Sequence, residues 1–236
     1  MEYKSIVQPR GKVTEWPEFM GERIYMLPFF KSKGLPDSAL IWQGVVSEML
    51  DGIDTDSPIY LMVDQSAVGA GEFHRRPGVH IDGYWGGKWQ HVSAHGPTNG
   101  GIPPHHKPSG GHSYVPPTPS HHQPAPHHSY TPPSNPHAPS RHSASGADWE
   151  TASFNEAEAI ILASNVSACR SYAGAFRGPI GDMGDCAAID LASMQVKDMA
   201  SDMVYAGNVT MLHETMPCLT DCLRTVVRLN VPGWTP

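Results

Sequence analysis

His80 and Asp82 are separated by a single residue, Ile81. In a strand, side chains at i and i+2 project from the same face. An imidazole and a carboxylate are then aimed at one point, with Ile81 turned into the other layer. Two histidines and one carboxylate on one face of an octahedron suit iron(II) and leave three positions open for other ligands. The third donor is expected on a distant strand, and His213 fits, at the end of the predicted strand Val209-Thr210-Met211-Leu212-His213. Eleven residues further on, Arg224 opens the run Arg-Thr-Val-Val-Arg-Leu-Asn-Val, in which Arg224, Val226 and Arg228 share a face. A guanidinium placed there can hold a carboxylate in a bidentate pair.

Each residue alone also has a plain explanation. An H-x-D arises easily in a chain with 14 histidines, and His74, His91 and His95 lie close enough in sequence to take the place of His80 in a different site. His213 alone reads as a strand-end histidine with a satisfied hydrogen bond. The joint pattern carries the metal reading: strand context, the Gly207-Asn208 turn before His213, and an arginine-bearing strand after it. Tyr84, two residues beyond Asp82, shares the ligand face and is a candidate to line the pocket, or plain barrel packing. Arg170 and Tyr172 are candidates for substrate or keto-acid contact, with a sheet-face role as the simpler reading. Asp182 and Asp185 fall in a glycine-rich loop that either acts as a lid or is simply solvated.

The pattern His80-x-Asp82, His213, Arg224 resembles the iron(II)/2-oxoglutarate-dependent dioxygenase superfamily. The stretch His213-Glu214-Thr215-Met216-Pro217 up to Arg224 is similar to its counterpart in prolyl hydroxylases, where a proline also lies four residues after the histidine. The resemblance implies a jelly-roll core (a double-stranded β-helix), with iron at His80, Asp82 and His213. It also implies 2-oxoglutarate held through its distal carboxylate at Arg224. Some members place this arginine about fifteen residues after the histidine, so Arg228 competes with Arg224. The implied reaction is hydroxylation of a C–H bond by dioxygen, with 2-oxoglutarate converted to succinate and CO2. The substrate is not identified by the resemblance. The stretches 158–190 and 207–234 also resemble phage-encoded proteins, which would place the chain in a host cytoplasm.

The elements that must position these residues are mainly β. Arg23 to Leu27 is a predicted strand stopped by Pro28. Pro36-Asp37-Ser38 starts a helix over Ala39 to Leu50 with an apolar face of Leu40, Val45, Val46 and Met49, ended by Gly52. Strands are predicted at Ile59–Val63, at 78–86 with a glycine-rich exit, at Ala159–Ala163, from Cys169 to Phe176, from Met203 to Tyr205, and from Leu223 to Val231. Short strands with Gly/Pro turns and one N-terminal helical segment argue for a β-sandwich or barrel, most plausibly a jelly roll.

Between the halves, residues 97–146 hold 13 of the 23 prolines and 9 of the 14 histidines, with only Ile102 and Val115 as branched aliphatics. Residues 105–117 (HHKPSGGHSYVPP) recur at 121–133 (HHQPAPHHSYTPP) with eight of thirteen positions identical. Two copies cannot form a solenoid, and this composition cannot bury a face. The expectation is an extended surface loop; a metal-sequestering or pH-responsive arm is the alternative. Three segments follow: 1–96, the insert 97–146, and 147–236.

The formal charge is −7 and the only basic cluster is the Arg75-Arg76 pair, which disfavours bulk nucleic-acid binding. Cys169, Cys186, Cys218 and Cys222 form no C-x-x-C pair and read as reduced thiols of a cytosolic protein. The first residues, Met1-Glu2-Tyr3-Lys4, have no apolar signal region, and no stretch approaches ~20 apolar residues, so no membrane span is expected. The oligomeric state is left open. The rival to an oxygenase is a non-catalytic jelly-roll protein, such as a virion structural component, for which a repeat-bearing insert suits display or adhesion.

Overall fold

The computed structural model describes residues 2–82, 158–181 and 184–236. Among these residues, two antiparallel sheets carry ten strands: β1 Glu2–Ser5, β2 Val7–Lys12, β3 Arg23–Phe29, β4 Ile59–Val68, β5 Glu158–Ser164, β6 Cys169–Arg177, β7 Gln195–Met199, β8 Met203–Asn208, β9 Leu212–Thr215 and β10 Cys222–Pro232. The larger sheet has the order β2-β8-β5-β10-β4-β3. In the smaller sheet β6 pairs with β7, β1 and β9. His80 extends that sheet through bridges to His213 on one side and Asp185 on the other.

From β4 onward the chain alternates between the sheets. It passes from β4 to the 79–81 segment, from β5 to β6 and β7, and from β8 through β9 to β10. The neighbouring strands β5, β10 and β4 are buried on both faces, and their near-continuous Val, Ile and Leu runs reflect that. The outward side chains of the larger sheet, among them Leu61, Val63, Ile161, Val227 and Leu229, pack under a helical cover. That cover is a 3₁₀ turn, Asp37–Trp42, followed by α1, Gln43–Met49. Pro36 precedes the turn with no side-chain cap, and the segment starts in the tighter 3₁₀ winding common at helix N-termini.

The sequence predicts one helix from Ala39 to Leu50 with Leu40 on its buried face. The tighter first turn shifts the phase: Ala39, Trp42, Val45, Val46 and Met49 are buried while Leu40 is half-exposed. The helix packs these side chains against the larger sheet. Several strands outrun their predicted ends. β4 continues to Val68, and β3 passes through Pro28, whose missing N–H is tolerated on an edge strand. β1, β2 and β7 are polar edge strands that the hydrophobic pattern does not reveal.

The strand expected at Val209–His213 is corrected. β8 runs to Asn208, the turn falls at 209–210, and β9 begins at Leu212, so His213 is its second residue. A side chain on Gly207 would collide with Met211, which is why the turn can fold back so closely. The insert 97–146, and with it the proposed segment boundaries, lies outside the described residues.

Candidate metal centre

Three local features bring His80, Asp82 and His213 together. The 79–81 segment is held on both sides: His80 N–H donates to His213 O at 2.9 Å and His213 N–H to His80 O at 3.1 Å. On the other side Ile81 N–H donates to Gly184 O and Cys186 N–H to Val79 O, each at 2.9 Å. Gly184, at φ +74°, has no room for a side chain against the Ile81 backbone, so only glycine permits this approach. Ile81 itself is buried with Val79, Leu212 and Cys186. Its alternate neighbours, His80 and Asp82, are thereby turned to the opposite side.

The ligand atoms of His80, Asp82 and His213 all lie within 4.8 Å of one another, and among the described residues these three form the one group with that property. The imidazole rings stand 4.5 Å apart at 55°. His80 Nδ1 lies 2.7 Å from Gly78 O, and His213 Nδ1 lies 3.2 Å from Met211 O. A carbonyl can only accept, so both contacts require a proton on Nδ1 and leave Nε2 as the nitrogen that can face a metal. His213 Nε2 is 3.2 Å from Asp82 Oδ2. Both histidines are buried, as metal-ligating imidazoles oriented by a backbone acceptor commonly are.

Burial and the adjacent His213 lower the His80 pKa to about 3, so His80 is a neutral ligand at ordinary pH. Burial on its own would raise the Asp82 carboxyl. The charge of Arg228, followed by His213, overrides it and holds Asp82 well below the usual carboxylate range. Two imidazoles and one carboxylate make a donor set suited to a divalent first-row metal with open positions.

The two arginines of β10 divide. Arg228 Nη1 is 2.5 Å from Asp82 Oδ1, with the Arg228 side chain buried and that of Asp82 nearly so. Arg228 also lies against the sulfur of Met26, a residue at φ +51° in the irregular register of β3. Among the described residues, Arg224 reaches neither Asp82 nor another carboxylate. Its Nε donates to Ser164 Oγ at 3.3 Å, its Nη1 is buried without a partner among the described residues, and its titratable neighbours are the thiols of Cys169, Cys218 and Cys222 and the guanidinium of Arg75. Burial lowers its pKa. It borders a small cavity with Leu162, Ser164, Cys169, Met199 and Tyr205.

His74, considered as a replacement for His80, is instead buried against Asp64, its Nε2 3.1 Å from Oδ1, with Arg75 on the other carboxylate oxygen at 3.2 Å. Arg170 pairs with Asp198 at 2.6 Å, and Tyr172 hydrogen-bonds Glu214, so both serve the smaller sheet. Asp185 lends its backbone to the His80 bridge and its carboxylate to Ala187 N–H. The four cysteines are free thiols, Cys218 hydrogen-bonded to Cys222. Tyr84, His91, His95 and Asp182 lie outside the described residues. Among those described, no helix is long and apolar enough to cross a membrane.

Comparison with protein-family models, with curated proteins and with solved structures returns no match. The reading of this centre rests on its own geometry.

Proposed function

We propose that this chain is an iron(II)- and 2-oxoglutarate-dependent oxygenase, built on a double-stranded β-helix, that hydroxylates a C–H bond of its substrate. The single observation that carries the reading is the buried His80, Asp82, His213 cluster with both imidazoles pinned at Nδ1 and their Nε2 atoms left for a metal. The strand alternation from β4 to β10 supports the β-helix: an eight-member jelly roll has this switching between sheets, counting the 79–81 segment as a member. Bound iron(II), with 2-oxoglutarate, would supply oxidation of the substrate by dioxygen, releasing succinate and CO2.

The residues would divide the work as follows. His80, Asp82 and His213 hold the metal on one face. Arg228, engaged with Asp82 Oδ1, fixes the carboxylate rotamer so that Oδ2 faces His213. Arg224, with a buried Nη1 and no carboxylate partner among the described residues, would accept the distal carboxylate of 2-oxoglutarate. A buried guanidinium without a counter-charge is costly unless a ligand supplies one. Arg224 and Arg228 project from the same face of β10, four residues apart, which spans ~13 Å of strand. Met199 and Met203 beside Arg224 are unbranched and can shift to admit the diacid.

The test is anaerobic addition of iron(II) and 2-oxoglutarate to the full chain. One metal per chain, and a weak visible charge-transfer band that needs both components, are expected. Failure to bind iron at one per chain, or a spectrum indifferent to 2-oxoglutarate, overturns the reading.

A further inference from the structure

Cys218 and Cys222 stand at the two ends of a short excursion, Leu219-Thr220-Asp221, between β9 and β10. Both backbones are fastened where β4 ends and the turn 69–72 begins. Cys218 N–H donates to Glu72 O at 2.9 Å, and Cys218 O accepts from Gly71 N–H at 2.7 Å. Cys222 lies opposite Val68, the last residue of β4. The turn is closed by Glu72 N–H on Gly69 O at 3.0 Å, and Ala70 N–H reaches across to Asp221 Oδ1 at 2.8 Å. The two cysteines are held in place by this frame, and their side chains share an apolar cluster with Val68, Val166 and Ala168.

Within the cluster the two thiols are hydrogen-bonded to each other. A disulfide requires the sulfurs to close to ~2.0 Å with little backbone movement, and a pair already in contact meets that condition. Their access to solvent differs. Cys218 is buried and Cys222 is partly exposed, so a small oxidant reaches Cys222 first. Arg224, two residues along the same face of β10, has both thiols beside it. A cation next to a thiol favours the thiolate, which is the reactive form. Burial, then the hydrogen bond to Cys222 and its charge, raise the Cys218 pKa and keep the proton on that sulfur. One reachable and one shielded sulfur match the division between an attacking and a resolving thiol. Cys169 and Cys186 are built otherwise. Burial pushes both up to about 12, and the Cys186 S–H donates to Gly184 O at 3.4 Å.

We propose that Cys218 and Cys222 form a thiol–disulfide modification site that takes a hydroperoxide as its oxidant. The Cys222 sulfur attacks one peroxide oxygen and the O–O bond breaks. The other oxygen leaves with the thiol proton, as water when the oxidant is hydrogen peroxide, and Cys222 becomes a sulfenic acid. The Cys218 sulfur then attacks the Cys222 sulfur, the S–O bond breaks, and hydroxide leaves as water with the Cys218 proton. Two thiols give up two electrons and two protons, the peroxide is reduced, and one S–S bond remains. An external dithiol reverses the step by exchange. The site is independent of the oxygenase reading, although it lies at the foot of the strand that carries Arg224.

The experiment treats the full chain with hydrogen peroxide at neutral pH, with and without later dithiothreitol. Denaturing alkylation, trypsin and mass spectrometry follow. Cleavage after Lys197 and Arg224 releases one peptide that holds Cys218 and Cys222 and neither of the other cysteines. After peroxide this peptide should carry no alkyl group, and after dithiothreitol it should carry two, while Cys169 and Cys186 are alkylated throughout. Cys218→Ser should abolish the crosslink and leave Cys222 as a sulfenic acid captured by dimedone, an adduct that a purely packing role does not produce. Cys222→Ser, at the more exposed position, should abolish crosslink and adduct alike, and it decides the matter should Cys218→Ser not fold.

Full alkylation of the peptide after peroxide overturns the site. So does a crosslink to Cys169, to Cys186 or to a second chain, or a Cys222→Ser chain that loses alkylation at Cys218 as readily as wild type. Iron and 2-oxoglutarate titration of the reduced protein is read separately. A reversible Cys218–Cys222 bridge without iron binding keeps this site and removes the oxygenase reading, and iron binding without the bridge does the reverse.

Discussion

The two faces of β10 are made from alternate residues of one strand, and they are built on different terms. Outward, Thr225, Val227, Leu229 and Val231 are buried, the last three in the apolar core beneath the helical cover. Inward, Arg224, Arg228 and Asn230 are just as buried but polar, with Arg228 paired to Asp82 and Asn230 to Glu158. The outward face is the stabilising one, since apolar area removed from water contributes ~25 cal/mol per Å². The inward face loses hydration at two guanidiniums and an amide and recovers only part of it through pairing. A chain that needed only to fold would gain by filling these positions with aliphatics. The proposed function, which makes the inner face the working surface, accounts for their presence.

Neighbouring residues should separate the two faces most sharply. Arg228→Ala strands Asp82 in the interior without its counter-charge, and breaking a buried pair in this way costs ~3–5 kcal/mol. In the metal-free protein, urea denaturation should show that loss, and added iron(II) should restore part of it by supplying positive charge to Asp82. Leu229→Ala, one residue along and facing out, should cost ~2–5 kcal/mol through lost burial and a residual cavity. Iron(II) should leave that deficit unchanged relative to wild type, with the metal still bound at one per chain. If iron rescues both variants equally, or neither, the division between faces is wrong.

Arg224 offers a finer distinction. Arg224→Ala should weaken 2-oxoglutarate binding by ~2–4 kcal/mol, because it removes a bidentate partner from a carboxylate held out of water. Iron affinity should barely move. Arg224→Met, filling the volume without the charge, should hold or raise the melting temperature, as replacement of uncompensated buried charge often does. A large fall in melting temperature would show that Arg224 is structural. Loss of cosubstrate in Arg228→Ala, with Arg224→Ala silent, would reverse the assignment between the two arginines.

How far this division can be read from sequence depends on which interaction sets each element. Strands β4, β5 and β10 are legible because burial on both faces demands long apolar runs. The parity of Arg224 and Arg228 on one face follows directly from the strand period. His80 and His213 are legible as a joint pattern of ligand types and strand context. The position of His213 within its strand is not, because Gly207 allows a fold-back against Met211 that moves the turn two residues later. The contact of Arg228 with Asp82 is a long-range matter of register that local pattern does not carry. Asn230 and Glu158 had a signal available: a polar residue at the same parity as the two arginines, and a carboxylate heading the apolar run of β5. The phase of the helical cover escaped because a 3₁₀ start displaces side chains that an ideal 3.6-residue period would bury.

The smallest expected effect tests the inner face through pH. His80 in the folded metal-free protein has its pKa lowered from 6.5 to about 3 by burial and by His213. An unfolded chain takes up this proton near ~6.5. Between those values the unfolded state binds more protons, so stability rises with pH and falls on acidification through this window, by up to ~1.4 kcal/mol per pH unit for one such group. Asp82, whose pKa is also lowered, contributes stability that is present above the unfolded carboxylate value near ~4 and is lost below it. From pH ~6 to ~4.5, then, the slope from this pair belongs to the histidine, and only below does the carboxylate add to it. Denaturation midpoints of wild type and His80→Gln across this range give the test, with the metal removed throughout. The variant, which has no imidazole to protonate, should show the shallower acid slope, with the two curves converging as pH falls. Iron(II) should steepen the wild-type dependence, because metal and proton compete for Nε2. Parallel curves for the two proteins would mean that His80 protonates as readily folded as unfolded. The inner face would then be wetter than the buried, carbonyl-pinned imidazole requires.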